Sequence, residues 1–342
     1  MRRRGRSDGN VRVTIGQVAA LAAVSTATAS RALNRPGTVT DALRERVGAA
    51  VARLGYLPNQ TARALSSLHS GLVGMLVPAF DPGHAEVLEA IQTRLAAMGY
   101  ATLIAATGGD SDRAVGAARA MAAREVEGLF VVGVELEGSL GALLDERRIP
   151  YVLVDACGGT PTKASVDVSY AAAGETVGAY LLGLGHRSLA FLCRPANHAS
   201  QPAALLLQGL RAALTAADAS LPSEQVVAGG SGWIRASLRQ WLTATTPPSA
   251  LVCADDLLAL AALQEGVLLG IAVPGQLSVV GCGDLPFARH TTPALSTLRI
   301  PGVMIGAAAV DQLLERLEGA LPTGRSIPIK LVIRQSSGPA PM

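Results

Sequence analysis

Ile15, Val18, Ala19 and Ala22 stand at i, i+3, i+4 and i+7, which is the stripe of an amphipathic helix over about 15–21 with Thr14 placed to cap it. Ala22-Ala23-Val24 reads as a tight turn. Ser25 then caps a second helix over about 26–33, whose inward stripe is Ala29, Ala32 and Leu33. Asn34-Arg35-Pro36-Gly37 ends it with helix-breaking chemistry. Thr40 caps a third helix over about 41–54, with Leu43, Val47, Ala50, Val51 and Leu54 facing inward. Three short helices with a tight turn between the first two form a helix-turn-helix. In that arrangement the second helix enters the DNA major groove, and its outward positions are Thr26, Ala27, Thr28, Ser30 and Arg31. Arg31 suits a bidentate bond to guanine, and Thr or Ala methyls suit contact with thymine. Thr28 and Ser30 fit a merely solvated helix surface equally well.

From Gly71 the pattern changes. Leu72-Val73-Gly74-Met75-Leu76-Val77 is a continuous apolar run, the signature of a strand buried on both faces. Similar runs follow at 101–105, 128–132, 151–154, 188–192, 250–253 and 278–280. Helical patterns near 85–98, 113–124, 140–147, 171–184, 205–216 and 257–269 separate them. Strands alternating with helices predict parallel sheets covered on both sides, in two units with a crevice at the carboxyl ends of their strands.

Charge divides the chain in the same place. Residues 1–70 carry eleven arginines against three acids (Asp8, Asp41, Glu45), while residues 71–342 carry eighteen basic against twenty-three acidic side chains. A basic head on a mildly acidic body points to a polyanionic partner for the head. Arg2 to Arg6 fit an unstructured tail, but Arg31, Arg44, Arg46, Arg53 and Arg63 lie inside patterned sequence.

Composition narrows the function further. At 342 residues and 49% hydrophobic, the chain suffices for two or three domains. It holds no apolar run of ~18 residues that would span a membrane. No apolar signal core follows the N-terminal arginines, so a cytoplasmic protein is expected. Cys157, Cys193, Cys253 and Cys282 form no C-x-x-C pair and read as small buried hydrophobes, with no metal site. Gly229-Gly230-Ser231-Gly232-Trp233 lacks the final glycine of a nucleophile elbow. No phosphate-binding loop or complete G-x-G-x-x-G occurs, so neither catalysis nor a cofactor is expected.

The ordered run Val13-Thr14-Ile15-Gly16-Gln17-Val18-Ala19, Val24-Ser25, Ala29-Ser30-Arg31-Ala32-Leu33-Asn34, Val39-Thr40, Arg44, Arg46-Val47, Leu54-Gly55-Tyr56-Leu57-Pro58-Asn59 and Ala62-Arg63-Ala64-Leu65 resembles the LacI/GalR family of bacterial transcription regulators. Gln17 stands where that family usually has Asp, which should weaken a local polar contact. Ala23 replaces the usual Gly, so the turn should have to manage without a residue suited to positive φ.

The resemblance implies an all-α helix-turn-helix head over 1–58 and a hinge helix and linker over 59–70. The remainder, 71–342, would be an α/β two-lobed periplasmic-binding-protein-like (type I) core for effector binding and dimerisation. Its N-lobe would take about 71–169 and 299–326, and its C-lobe about 170–298 and 327–342. Gly185-His186-Arg187, Val273 to Gly281 and Pro293 to Leu298 match landmarks of that core, and His186 reads as structural.

The resemblance further implies that Leu65 is a wedge in the minor groove, flanked by Arg63 and Ser66, on a hinge that orders on DNA. Thr14, Ser25, Asn34, Tyr56 and Asn59 are the expected phosphate-backbone contacts. The implied partners are a pseudopalindromic operator duplex, a second copy of the chain and a small-molecule effector. The family's effector pocket transfers poorly. Ala204 stands where an Arg is common, and the loop after the first strand reduces to Asp81-Pro82-Gly83-His84. Asp255, Asp284, His84, Trp233 and Arg289 remain as effector candidates. The entry to the third helix, Val39 to Arg44, leans towards the family's gluconate-repressor branch, hence a sugar acid. A solute-binding or sensor protein of the same fold without a DNA role is the alternative, and it leaves residues 13–65 unexplained.

Overall fold

The computed structural model describes residues 13–34, 36–56, 69–133, 136, 138–155, 164–193, 201–226, 231–321 and 323–341, with the backbone alone at 36, 201, 220, 222–226 and 231–234. Contacts divide the chain into two units, 1–70 and 71–342.

The first unit holds α1 (Ile15–Leu21), α2 (Thr26–Asn34) and α3 (Asp41–Leu54). Val18, Ala22, Ala32, Val47, Ala50 and Tyr56 form its core, with Ile15, Val24, Leu33, Leu43 and Leu54 packed around them. These are the inward stripes of all three helices, as expected where burial of an apolar face stabilises helices too short to persist alone. Helices α1 and α3 end in the same way. After α3, Gly55 takes φ 61° and the Tyr56 amide donates to Val51 O at 3.1 Å. After α1, Ala23 takes φ 51° and the Val24 amide donates to Ala19 O at 3.0 Å. The expectation for this turn is thereby corrected: it does not avoid positive φ, but places an alanine there at a cost of about 1 kcal/mol. Gln17 keeps a local polar contact: its Oε1 accepts the Thr14 amide at 2.8 Å, the return bond of a capping box.

The second unit contains two six-stranded sheets among the described residues. In the N-lobe, β1 (Leu72–Val77), β2 (Ala101–Ala106), β3 (Gly128–Val132), β4 (Tyr151–Val154), β5 (Ser165–Val168) and β11 (Gly324–Ile327) run in the order β11-β5-β4-β3-β1-β2, all parallel. Helices α4 (Pro82–Ala97), α5 (Ser111–Ala122), α6 (Ser139–Glu146) and α11 (Gly302–Leu317) cover it.

In the C-lobe, β6 (Ser188–Cys193), β7 (Ser220–Val226), β8 (Ala250–Cys253), β9 (Ser278–Gly283), β10 (Ser296–Arg299) and β12 (Lys330–Val332) run β12-β10-β9-β8-β6-β7. Only β12 is antiparallel to its neighbour there. Its helices are α7 (Tyr170–Gly183), α8 (Gln201–Ala216), α9 (Ser231–Leu242) and α10 (Asp256–Leu269). Helices α7 and α8 cross backbone to backbone: a Cβ on Gly209 would fall 1.8 Å from Ala171 O, and one on Gly174 would fall 2.1 Å from Leu206 O. Only glycine permits that approach.

The chain passes between the sheets three times, from β5 to α7, from β10 to α11 and from β11 to β12. Ser169 Oγ and Ser326 Oγ, 2.7 Å apart, join the first and third passages. Each sheet reverses its winding beside its first strand, between β1 and β3 and between β6 and β8. Ligands bind at the carboxyl ends of strands flanking such reversals.

Candidate nucleic-acid interface and effector cleft

Helix α2 turns Ala29 and Ala32 into the head's core and leaves Thr26, Ala27 and Arg31 exposed, with Thr28 and Ser30 half-buried. Ser25 Oγ accepts the Thr28 amide at 3.1 Å and lies 2.8 Å from Thr28 Oγ1. Asn34 Nδ2 donates to Ser30 Oγ at 3.2 Å. Thr28 and Ser30 are thus tied within the helix, whereas Ala27 and Arg31 stand one turn apart on its open face. Arg44, Arg46 and Arg53 are exposed on α3, Arg44 paired with Asp41 at 2.6 Å. Among the backbone candidates, Thr14, Ser25 and Asn34 sit exposed at helix ends, while Tyr56 packs in the core. Asn59, Arg63, Leu65 and Ser66 lie outside the described residues.

In the second unit the strand ends carry the polar groups. Asp81 caps α4, accepting the Gly83 amide at 2.8 Å and the His84 amide at 3.2 Å. This brings His84, expected in a loop, into the helix's first turn. Its Nδ1 lies 3.0 and 3.1 Å from the Asp81 carboxylate oxygens. The ring also sits against Gly133, where an added Cβ would fall 3.1 Å from Nε2. His84 therefore stands over the β1–β3 reversal. Burial works against its imidazolium, but the Asp81 hydrogen bond and charge, with Asp155 behind them, outweigh it and raise its pKa. Burial also pushes Asp81 upward, but the bond and charge of His84 prevail and its pKa lies below the usual carboxylate value.

Asp155 follows β4 directly with φ 54°, and Tyr170 Oη donates to its Oδ2 at 3.1 Å. Burial pushes Asp155 up to about 6, against the opposing pull of His84 and Tyr170. Neither residue was singled out in the sequence. An Asp that closes an apolar strand was the available signal for Asp155, since such ends carry sites in doubly wound sheets.

Across the cleft, Asp255 follows β8 at the other reversal and caps α10 by accepting the Leu258 amide at 2.8 Å. Asp256 is fully buried. It accepts from Thr297 Oγ1 at 2.6 Å and from the Leu285 amide at 2.7 Å, and burial raises its pKa. Asp284, at φ 55° just past β9, is held by Arg334 Nη2 at 2.6 Å, with Arg299 Nη1 at 3.8 Å. Arg334 had no sequence signal, because it meets Asp284 only through the pairing of β12 with β10.

Of the remaining candidates, Trp233 falls in α9, where the backbone alone is described, and Arg289 is exposed on the 3-10 turn Pro286–Arg289. His186 is buried and structural. It lies 2.9 Å from Ser249 Oγ, 3.1 Å from Ser278 Oγ and 3.0 Å from Gly338 O, and burial lowers its pKa. Cys193, Cys253 and Cys282 are buried thiols, and Cys157 lies outside the described residues. No group that could hold a metal ion occurs among the described residues. Nor is any described helix long and apolar enough to cross a membrane.

A helix-turn-helix unit and a two-lobed, doubly wound core in one chain define a DNA-binding transcription regulator rather than an enzyme. Residues 14–59 match the family model "Bacterial regulatory proteins, lacI family", and residues 179–337 match "Periplasmic binding protein-like domain". The HTH-type transcriptional repressor PurR of Yersinia enterocolitica is 32% identical over 338 residues, 96% of this chain and 98% of that protein. The Lac repressor dimer bound to operator and the anti-inducer ONPF superposes with TM-score 0.85 at 26% identity, covering 95% of this chain and 99% of that one. The complex of the transcriptional regulator CelR with cellobiose superposes with TM-score 0.70, also at 26% identity, covering 95% and 100%. The chain belongs to the lacI family of bacterial regulatory proteins.

Proposed function

We propose that this chain is a cytoplasmic, homodimeric repressor. Its two α2 helices would read successive major grooves of a pseudopalindromic operator, and its hinge segments, with Arg63, Leu65 and Ser66, would meet in the minor groove between them. The observation that carries this reading is the open face of α2, where Ala27 and Arg31 project from a helix whose other side is core. Arg31 supplies the guanine contact, with Thr26, Ala27, Thr28 and Ser30 beside it, and Thr14, Ser25, Asn34 and Asn59 hold the phosphate backbone, whereas Tyr56 serves the head's core. Selection of the full chain on a randomised duplex library tests this. It should return two half-sites in inverted repeat, with affinity that falls steeply as salt rises, because arginine–phosphate contacts release counterions. A flat salt profile contradicts the basic-head argument.

The same reading places a small hydroxylated metabolite, a sugar or sugar acid, in the cleft between the strand ends. Asp255 and His84 stand at the two winding reversals, with Asp284, Trp233 and Arg289 as further candidates. Closing the lobes around it would shift operator affinity if closure carries on the order of 1–3 kcal/mol of differential free energy. Calorimetry against aldoses, sugar acids and nucleosides separates the effector classes. Heat from aldoses alone rejects the sugar acid, and heat from none of the three rejects the cleft assignment.

A further inference from the structure

The Tyr170–Asp155 hydrogen bond crosses between the lobes. Asp155 directly follows β4 of the N-lobe sheet, whereas Tyr170 opens α7, the first helix of the C-lobe, two residues past the end of β5. Tyr170 is buried and Asp155 half-buried, so the bond is partly shielded from water, which strengthens a charge-assisted hydrogen bond. Several described elements around Asp155 bring titratable groups. Helix α4 presents His84, backed by Asp81 at its N-cap. Strand β5 presents Asp167, whose Oδ2 accepts from Ser165 Oγ at 2.8 Å, and α7 presents Tyr170. From the C-lobe, β9 presents Cys282, which feels the charges of Asp155, Asp255 and Asp256 together.

We propose that the Tyr170–Asp155 bond is a proton-sensitive tie between the two lobes, tight while the Asp155 carboxylate is ionised and slack once it takes up a proton. Burial and Asp167 favour the neutral acid, while His84 and Tyr170 favour the anion, so protonation falls near pH 6, within reach of a cell's range. The tie belongs to the core itself and holds whatever effector the cleft accepts.

Double electron–electron resonance on the effector-free full chain tests it. Spin labels at Asp112 on α5 and Ala212 on α8, both exposed, report the separation of the lobes. A Cys157→Ser background removes a competing thiol, and mixing with excess unlabelled chain isolates single pairs. The distance distribution should broaden between pH 8 and pH 5 with a midpoint near 6. Tyr170→Phe and Asp155→Asn should be broad at every pH. His84→Gln lies on a half-buried first turn where folding should survive, and it removes the nearby cation. It should therefore move the midpoint upward by roughly one pH unit. A distribution unchanged from pH 8 to 5, a wild-type pH profile in Asp155→Asn or Tyr170→Phe, or an unmoved midpoint in His84→Gln overturns the proposal. The His84→Gln arm decides the matter if the other two variants do not fold.

Discussion

On α2 the side chains proposed to meet DNA are held only by bonds within three or four residues, Ser25 with Thr28 and Ser30 with Asn34, and Arg31 projects into solvent. At the cleft, Asp284 is gripped by Arg334 fifty positions later, and Asp155 by Tyr170 fifteen positions later in the other lobe. The head therefore presents a surface made locally, whose chemistry can be changed without touching its core. The cleft is assembled by topology, and its charges already serve the fold before any effector arrives. Substitutions in the two regions should accordingly fail in different ways.

Arg334→Ala tests that contrast with the largest effect. It leaves buried Asp284, whose side chain is 3% exposed, with Arg299 at 3.8 Å in place of its hydrogen-bonded partner, and should destabilise the core by about 3 kcal/mol in chemical unfolding. A loss below 1 kcal/mol would mean that Asp284 is not held as described. Arg31→Ala should do the reverse. Unfolding should hardly change, while affinity for the selected operator should fall by ~1–3 kcal/mol and affinity for random DNA should stay nearly constant. Equal losses on both DNAs would reassign Arg31 to phosphate. Ala23→Gly should stabilise the head by about 0.5–1 kcal/mol, because glycine takes the left-handed cap of α1 as Gly55 does that of α3. Calorimetry that shows a loss would locate a packing role in the Ala23 methyl.

The smallest effect concerns pH. Asp155 and His84 both bind protons more tightly in the folded chain, so each contributes stability that is present at low pH and lost as pH rises. For Asp155 the loss runs from the ordinary carboxylate range to about 6, and for His84 it lies above the ordinary imidazole value. Buried His186 works in the opposite sense, gaining stability as pH rises. The Tm of Asp155→Asn should therefore fall less than that of the wild type between pH 4 and pH 7. Parallel pH profiles would remove Asp155 from the titration.

How much of this was legible in the sequence follows the same division. The head could be read almost to the residue, because helical stripes, caps and breakers are local signals, and α1 and α3 span the residues that their periodicity predicts. The buried strands β1, β3, β4 and β8 were equally plain as apolar runs. Strands β5, β7, β10, β11 and β12 went unread, since Ser165–Val168 or Gly324–Ile327 mix polar and apolar residues and are strands only by their neighbours. Helices α9 and α11 were likewise missed. The cleft was the least legible. His84 and Asp255 are named only through the family resemblance, and the partners that fix its charges, Arg334 and Tyr170, are single residues brought in by distant segments. Ala23 taught a different lesson: a cap geometry can persist after the residue best suited to it has gone.

The retardation of a selected operator fragment by the full chain, set beside that by residues 71–342 alone, puts the division of labour to its most direct trial. Retardation by the full chain, with none by the core even at a hundredfold higher protein concentration, is the predicted result. Equal retardation by both would show that the DNA-binding surface lies in the two-lobed body and not on α2.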